Sequence, residues 1–162
     1  MDTNQDLFEP KKKLPGGLNA LTILTFIGCG ISYLGVLYSF FTSSDYMSNR
    51  DKIEEAREKV RGSFMEGMMP SPEMMQKTYD NRYVLFACGL IFTTFCLIGA
   101  IQMRKLKKSG YTLYVIGELA PFIVNIAIFG IAIATGFQML FAIGIALLFV
   151  LLYTLQRKHL VN

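Results

Sequence analysis

The sequence has no tryptophan, one histidine and three cysteines, and only 17% of its 162 residues are charged. Each shortage excludes something. Cys29, Cys88 and Cys96 fall inside apolar runs, with no Cys-x-x-Cys pair and no metal-ligand spacing. Cys88 and Cys96 would stand about 12 Å apart along one helix, too far to bridge, so the three read as small apolar residues. The lone His159 sits in the C-terminal tail. P-loop, Rossmann, nucleophile-elbow and zinc-protease motifs are all absent. No catalytic residue, cofactor or metal is expected. A soluble domain usually carries about 25% charge, so the composition excludes soluble-enzyme, disordered, collagenous and disulfide-rich classes.

What is present is apolar length. Leu14 to Ser44 carries no charge, and Ser109 to Gln156 carries only Glu118. About 20 apolar residues span a bilayer core, and in hydrocarbon the backbone must satisfy its own hydrogen bonds, which demands helices here. The expectation is an all-α membrane protein with four spans: Leu18–Phe41, Tyr83–Met103, Tyr111–Ala134 and Phe137–Leu155. The last two would form a tight hairpin at Thr135-Gly136-Phe137-Gln138. Asn19 is a candidate cap for the first. That first stretch is too long for a signal peptide and stays in the mature chain. Residues 1–17 and 156–162 would be tails, and 42–82 a loop.

Basic residues set the orientation. Lys11, Lys12 and Lys13, then Arg104, Lys105, Lys107 and Lys108, then Arg157 and Lys158 share one side of a four-span chain. The loop is mixed in sign and net negative. Both termini are therefore expected in the cytoplasm. The Arg104–Lys108 cluster is a topology determinant and suits anionic phospholipid headgroups. No aromatic-lined basic groove suggests nucleic acid.

In the loop, Ser48-Asn49-Arg50-Asp51 resembles a capping box. Ile53, Ala56, Val60, Phe64 and Met68 then follow helical spacing, predicting an amphipathic helix of about five turns ended by Gly67 and Pro70. Its polar face is mixed in sign, which favours protein contact through Ile53, Val60, Phe64, Met68 and Met69 over lipid contact. Five methionines crowd residues 65–75. Thioethers suit Cu(I), but the loop has neither His nor Cys, and the cluster reads as adaptable apolar surface.

Glu118 is the only acid or base inside a span, and such residues are functional suspects. Tyr111, Tyr114, Glu118, Pro121 and Asn125 share its helical stripe, and Pro121 releases the Gly117 carbonyl. No span offers a counter-charge. Glu118 is read as a neutral acid bonded within the bundle, a partner contact or part of an ion route. On the first span Thr25, Gly28, Ser32, Gly35 and Ser39 form a small-residue face for helix packing or a partner helix. Gly89, Thr93, Cys96 and Ala100 form another, and Ala127, Gly130 and Ala134 a third.

Leu14-Pro15, Leu18–Ile31 (LNALTILTFIGCGI) and Met103–Tyr114 (MRKLKKSGYTLY) resemble small, uncharacterised four-span inner-membrane proteins of Bacteroidota, in which Trp often stands where this chain has Ser109. The resemblance implies four helices in the cytoplasmic membrane and transfers no site residues. The functional expectation is a non-enzymatic accessory or assembly subunit of a larger inner-membrane complex, such as a secretion, insertion or envelope-transport machine. It would dock other membrane subunits through the 45–82 loop and a helix face. The competing expectation is a small transporter or ion-conducting oligomer built on Glu118.

Overall fold

The computed structural model describes residues 14–66, 69, 71–131 and 137–160. Six α-helices and a terminal 3-10 turn account for nearly all of them, with no strand among the described residues. The helices are α1 (Gly16–Ser48), α2 (Arg50–Lys59), α3 (Pro72–Asp80), α4 (Arg82–Arg104), α5 (Lys108–Phe129) and α6 (Phe137–Gln156). Helices α1, α4, α5 and α6 are long and apolar enough to cross a membrane. The chain is a multi-pass membrane protein.

The boundaries depart from the sequence expectations for physical reasons. Helix α1 begins after Pro15, and Asn19 is already inside it, donating its backbone N–H to the Pro15 carbonyl. At the other end α1 runs seven residues past Phe41. Ser48 is its last residue and donates to the Asp45 carbonyl (3.0 Å), so it opens no capping box. Helix α2 ends at Lys59, and Gly62 at φ 80° turns the chain. The expected five turns are thus fewer than three; Gly67, Met68 and Pro70 lie outside the described residues. The sequence reading had no counterpart for α3. Its start is well specified: Pro72 occupies the first turn and the Ser71 hydroxyl accepts from the Met74 N–H (3.2 Å). Ser71→Ala is expected to cost about 1 kcal/mol locally, visible as faster amide exchange in the first turn of α3 and unchanged exchange in α4.

Helix α5 stops at Phe129 and not Ala134, because Gly130 takes φ 87°, a left-handed conformation open to glycine. Residues 132–136, where the reversal was expected, are outside the described set, as are the side chains of Phe137 and Gln138. Pairing also differs. The principal partner of α5 is α4, joined by the link Lys105–Lys107. There Leu106 takes φ 59°, rare for a branched side chain, and Lys107 N–H returns to the Gln102 carbonyl (3.0 Å). Packing of Leu106 against the core holds that conformation.

Helices α4 and α5 meet backbone to backbone. A Cβ at Gly99 would lie 2.8 Å from the Gly110 carbonyl oxygen; one at Gly110 would lie 2.6 Å from the Gly99 oxygen. At Gly117 it would lie 2.8 Å from the Cys96 nitrogen. Without a hydrophobic force between helices in lipid, such close van der Waals contact holds them together. Helix α1 packs on a neighbouring side of α4, with Phe40 against Phe86 (ring centroids 4.6 Å) and Tyr33 Oη 2.7 Å from Thr94 Oγ1. Thr94 gives its own proton to the Leu90 carbonyl (2.7 Å), so Tyr33 is the donor.

Helix α6 joins α1 and α5 through its C-terminal half. Tyr153 is fully buried, its ring tilted against Tyr114 (ring centroids 4.6 Å), and hydrogen-bonded to Thr25 (2.8 Å). Tyr111 donates to Thr154 (2.8 Å), whose proton goes to the Val150 carbonyl. This places the core at the end that carries the basic link, with Leu18, Met103 and Leu160 around it. Arginines cover rings there: Arg104 lies 5.7 Å from Phe26 and Arg157 lies 5.4 Å from Tyr111. At the far end Arg82 covers Tyr79 (4.3 Å) and Tyr83 (4.6 Å). Tyrosine and arginine thus mark both ends of a bundle that has no Trp.

Candidate functional site

Toward the loop end the helices open. A cavity of about 600 Å³ lies between α1, α4 and α5, flanked by Ile145 and Phe149 of α6 and by Thr78 of α3. A smaller one of about 330 Å³ adjoins it near Arg82. The cavity exists because its α1 wall is made of small side chains. Thr25, Gly28, Ser32 and Ser39 line it, and Gly35 lines its neighbour. A Cβ at Gly28 or Gly35 would meet nothing within 4 Å. The small-residue face read from the sequence is therefore a cavity wall. The close helix contact belongs to Gly99, Gly110 and Gly117, which the sequence reading passed over as a set. Their signal was the seven-residue interval between Gly110 and Gly117, which stacks two glycines on one side of α5.

The second small face behaves as expected of packing residues. Gly89 abuts Val36, the Thr93 carbonyl receives Cys29 Sγ (3.9 Å), and Ala100 is fully buried. The third does not: Ala127 is exposed, Gly130 has open space around it, and Ala134 is outside the described residues.

Four of the five residues on the polar stripe of α5 reach the cavity: Tyr114, Glu118, Pro121 and Asn125. Tyr111 sits one turn too far toward the basic end and is tied to α6. Glu118 lies ten residues into the 22-residue helix, about 15 Å along it, near the middle of its length. Its carboxylate oxygen receives Cys96 Sγ of α4 at 3.5 Å, and the same sulfur lies 3.9 Å from the Tyr114 carbonyl. The Asn125 amide turns back to the Pro121 carbonyl one turn earlier on the same helix (2.9 Å). Cys29 and Cys96 are buried, and all three cysteines are free.

Glu118 is the only acid or base on the cavity wall among the described residues. The cations stand at the two ends of the helices: at the basic end Arg104 lies eight residues after Cys96 along α4, about 12 Å, and Lys108 ten residues before Glu118 along α5, about 15 Å. At the loop end Lys77 of α3 donates to the Phe129 carbonyl (3.5 Å), eleven residues or about 16 Å beyond Glu118 along α5. Arg82 lies fourteen residues before Cys96, about 21 Å away along α4. Among the described residues no three His, Cys, Asp or Glu side chains gather to hold a metal ion.

In the loop, α2 has no buried residue; Ile53, Ala56 and Val60 are half-covered along one side. Phe64 is exposed and Met69 half-buried. Glu55 pairs with Lys59 (2.8 Å), and Glu73 with Lys77 (2.8 Å). The Lys77 ammonium holds the Glu73 carboxyl below its usual range. That pair supports α3 at neutral pH and is lost as acid protonates Glu73. Met75 is buried under the loop, so one member of the Met-rich segment is core. Lys105, Lys107 and Lys108 are exposed at the basic end.

No protein-family model, curated protein or solved structure matches the chain.

Proposed function

We propose that the chain is a non-enzymatic accessory or assembly subunit of a larger complex in a bacterial inner membrane, with both termini in the cytoplasm. The observation that carries this reading is the pairing of a long α1 with an α2 that buries none of its residues. At 33 residues α1 is about 50 Å long, against a hydrocarbon core of about 30 Å. It passes the start of α4 and carries α2 outward, where none of that helix's ten residues is buried. Helix α2 is then an amphipathic docking element offering Ile53, Ala56 and Val60, followed in the sequence by Phe64, Met68 and Met69. The lysines of the α4–α5 link rest beside anionic headgroups, each worth about 1 kcal/mol near a charged surface. A secretion, insertion or envelope-transport machine is a suitable host.

Native affinity purification from gently solubilised membranes, read by mass spectrometry, tests this. Unrelated membrane subunits should co-purify with the parent chain. An Ile53→Ser, Val60→Ser double variant should lose them while still inserting in the membrane. Recovery of this chain alone would refute the docking role.

A second reading is favoured by one observation, the opening of the cavity onto Glu118 near the middle of α5. In that reading the chain is a small transporter or an ion-conducting oligomer, and reconstituted vesicles should show flux that Glu118→Gln abolishes.

A further inference from the structure

The wall of the large cavity combines one carboxyl group with a mainly apolar and aromatic surface, interrupted by the hydroxyls of Thr25, Ser32 and Ser39 and the Asn125 amide. Phe92, Phe122, Phe129, Phe149 and the Tyr114 ring line it together with Leu24. Its volume of about 600 Å³ is within the about 300–1,000 Å³ typical of small-molecule pockets, and some twenty times the about 30 Å³ share of one water. Aromatic faces attract cations, and a carboxylate in a low-dielectric setting attracts them more strongly still.

The side chains that face Glu118 from the surrounding helices are uncharged. Helix α4 supplies Cys96, α5 itself Tyr114, α1 Cys29 and α6 Tyr153. None of these carries positive charge. Helix α3 supplies Lys77, which is engaged at the cavity's far end with a backbone carbonyl. The carboxylate therefore has no internal cation among the described residues.

We propose that this cavity is a binding site for a hydrophobic organic monocation, a quaternary or protonated amine, or a phosphonium, with a bulky apolar body, which pairs its charge with Glu118. A neutral apolar ligand would fill the space and leave the carboxylate uncompensated. A bare metal ion would want several oxygen ligands, whereas one carboxylate is present, and it would leave most of the volume empty. A bulky organic cation meets both demands. The charge sits against the Glu118 carboxylate, and the body lies on the phenyl rings and the small-residue wall of α1. Binding uses the ionised carboxylate, so protons compete with the cation for it. If the carboxyl is protonated beforehand, one proton leaves for each cation bound and charge balances. The site is independent of the docking role of α2 and would be present in a subunit or in a transporter.

The test uses the full chain in phospholipid nanodiscs, with tetraphenylphosphonium as the cation and triphenylphosphine oxide as a neutral body of similar shape. Empty nanodiscs supply the partitioning background. The expected result is saturable, one-to-one binding of the cation above that background, weakened by acidification, with no saturable binding of the neutral compound. Glu118→Gln should weaken cation binding at least about tenfold, equivalent to about 1.4 kcal/mol. Gly28→Leu keeps the carboxyl and meets open space on the cavity wall, so it should fold normally and block the body of the ligand. Uptake no greater than in empty nanodiscs overturns the proposal. Equal binding of the neutral compound, or unchanged binding in a folded Glu118→Gln protein, also overturns it. Should Glu118→Gln fail to fold, Gly28→Leu decides: loss of binding supports the site, and retention refutes it.

Discussion

Gly110→Val should prevent α4 and α5 from closing. A Cβ there meets the Gly99 oxygen at 2.6 Å and the Met103 nitrogen at 2.7 Å, and neither belongs to a side chain that can rotate away. Relief requires the two helices to move apart, which also separates Gly99 from Tyr114 and Gly117 from Cys96. Overpacking of a close core usually costs about 1–3 kcal/mol, and contact with backbone on both sides puts this substitution at or beyond about 3 kcal/mol. A melt in mild detergent, followed by circular dichroism, should show a large drop in midpoint or no folded protein at all. The control is Gly28→Ala. It touches nothing within 4 Å and replaces a helical glycine, so it should raise stability by up to about 1 kcal/mol. A Gly110→Val protein as stable as the parent would contradict the close helix contact. A marked loss at Gly28→Ala would mean that the α1 wall is covered.

The second large effect is expected at Tyr153. Its ring is fully buried against Tyr114, itself 2% exposed, and its hydroxyl bonds Thr25 at 2.8 Å. This contact is the principal tie of α6 to both α1 and α5. Tyr153→Phe removes only the hydrogen bond, whose counterparts in membrane proteins average about 0.6 kcal/mol. Tyr153→Ala also removes the ring and leaves a hole. Aromatic-to-alanine changes in cores cost about 3–5 kcal/mol; the lower end applies here because lipid tails are as apolar as the protein interior. The readout is the accessibility of a cysteine introduced in α6 (Leu152→Cys in each background), which should increase sharply in Tyr153→Ala and little in Tyr153→Phe. Equal behaviour of the two variants would show that the ring carries no packing energy.

The number, type and approximate position of the membrane helices were legible in the chain because hydrocarbon thickness and backbone desolvation act on composition and length alone. Glu118 was legible for the same reason, as one charge in a long apolar run. The polar stripe of Tyr114, Glu118, Pro121 and Asn125 followed from 3.6-residue periodicity, a local property of one helix. Loop structure was less legible. Helix α3 is nine residues held by Ser71, Pro72 and a buried Met75, and its apolar content disappears into a run of methionines. The length of α1 was hidden because a helix leaving the membrane changes composition without changing conformation.

Which helix lies against which was decided only by tertiary structure. Chain order suggested that the last two spans pair along their length, yet α5 packs mainly on α4, and α6 is held by Tyr153 and Thr154 at one end. Small residues on a helix permit close approach without requiring it. One set of glycines, at 99, 110 and 117, is filled by the opposing backbone, while another, at 28 and 35, faces open space. Sequence spacing states what a helix face can accept. Only the arrangement of the other helices determines whether that face becomes a contact or, as along α1, the wall of a cavity with a carboxyl group on its opposite side.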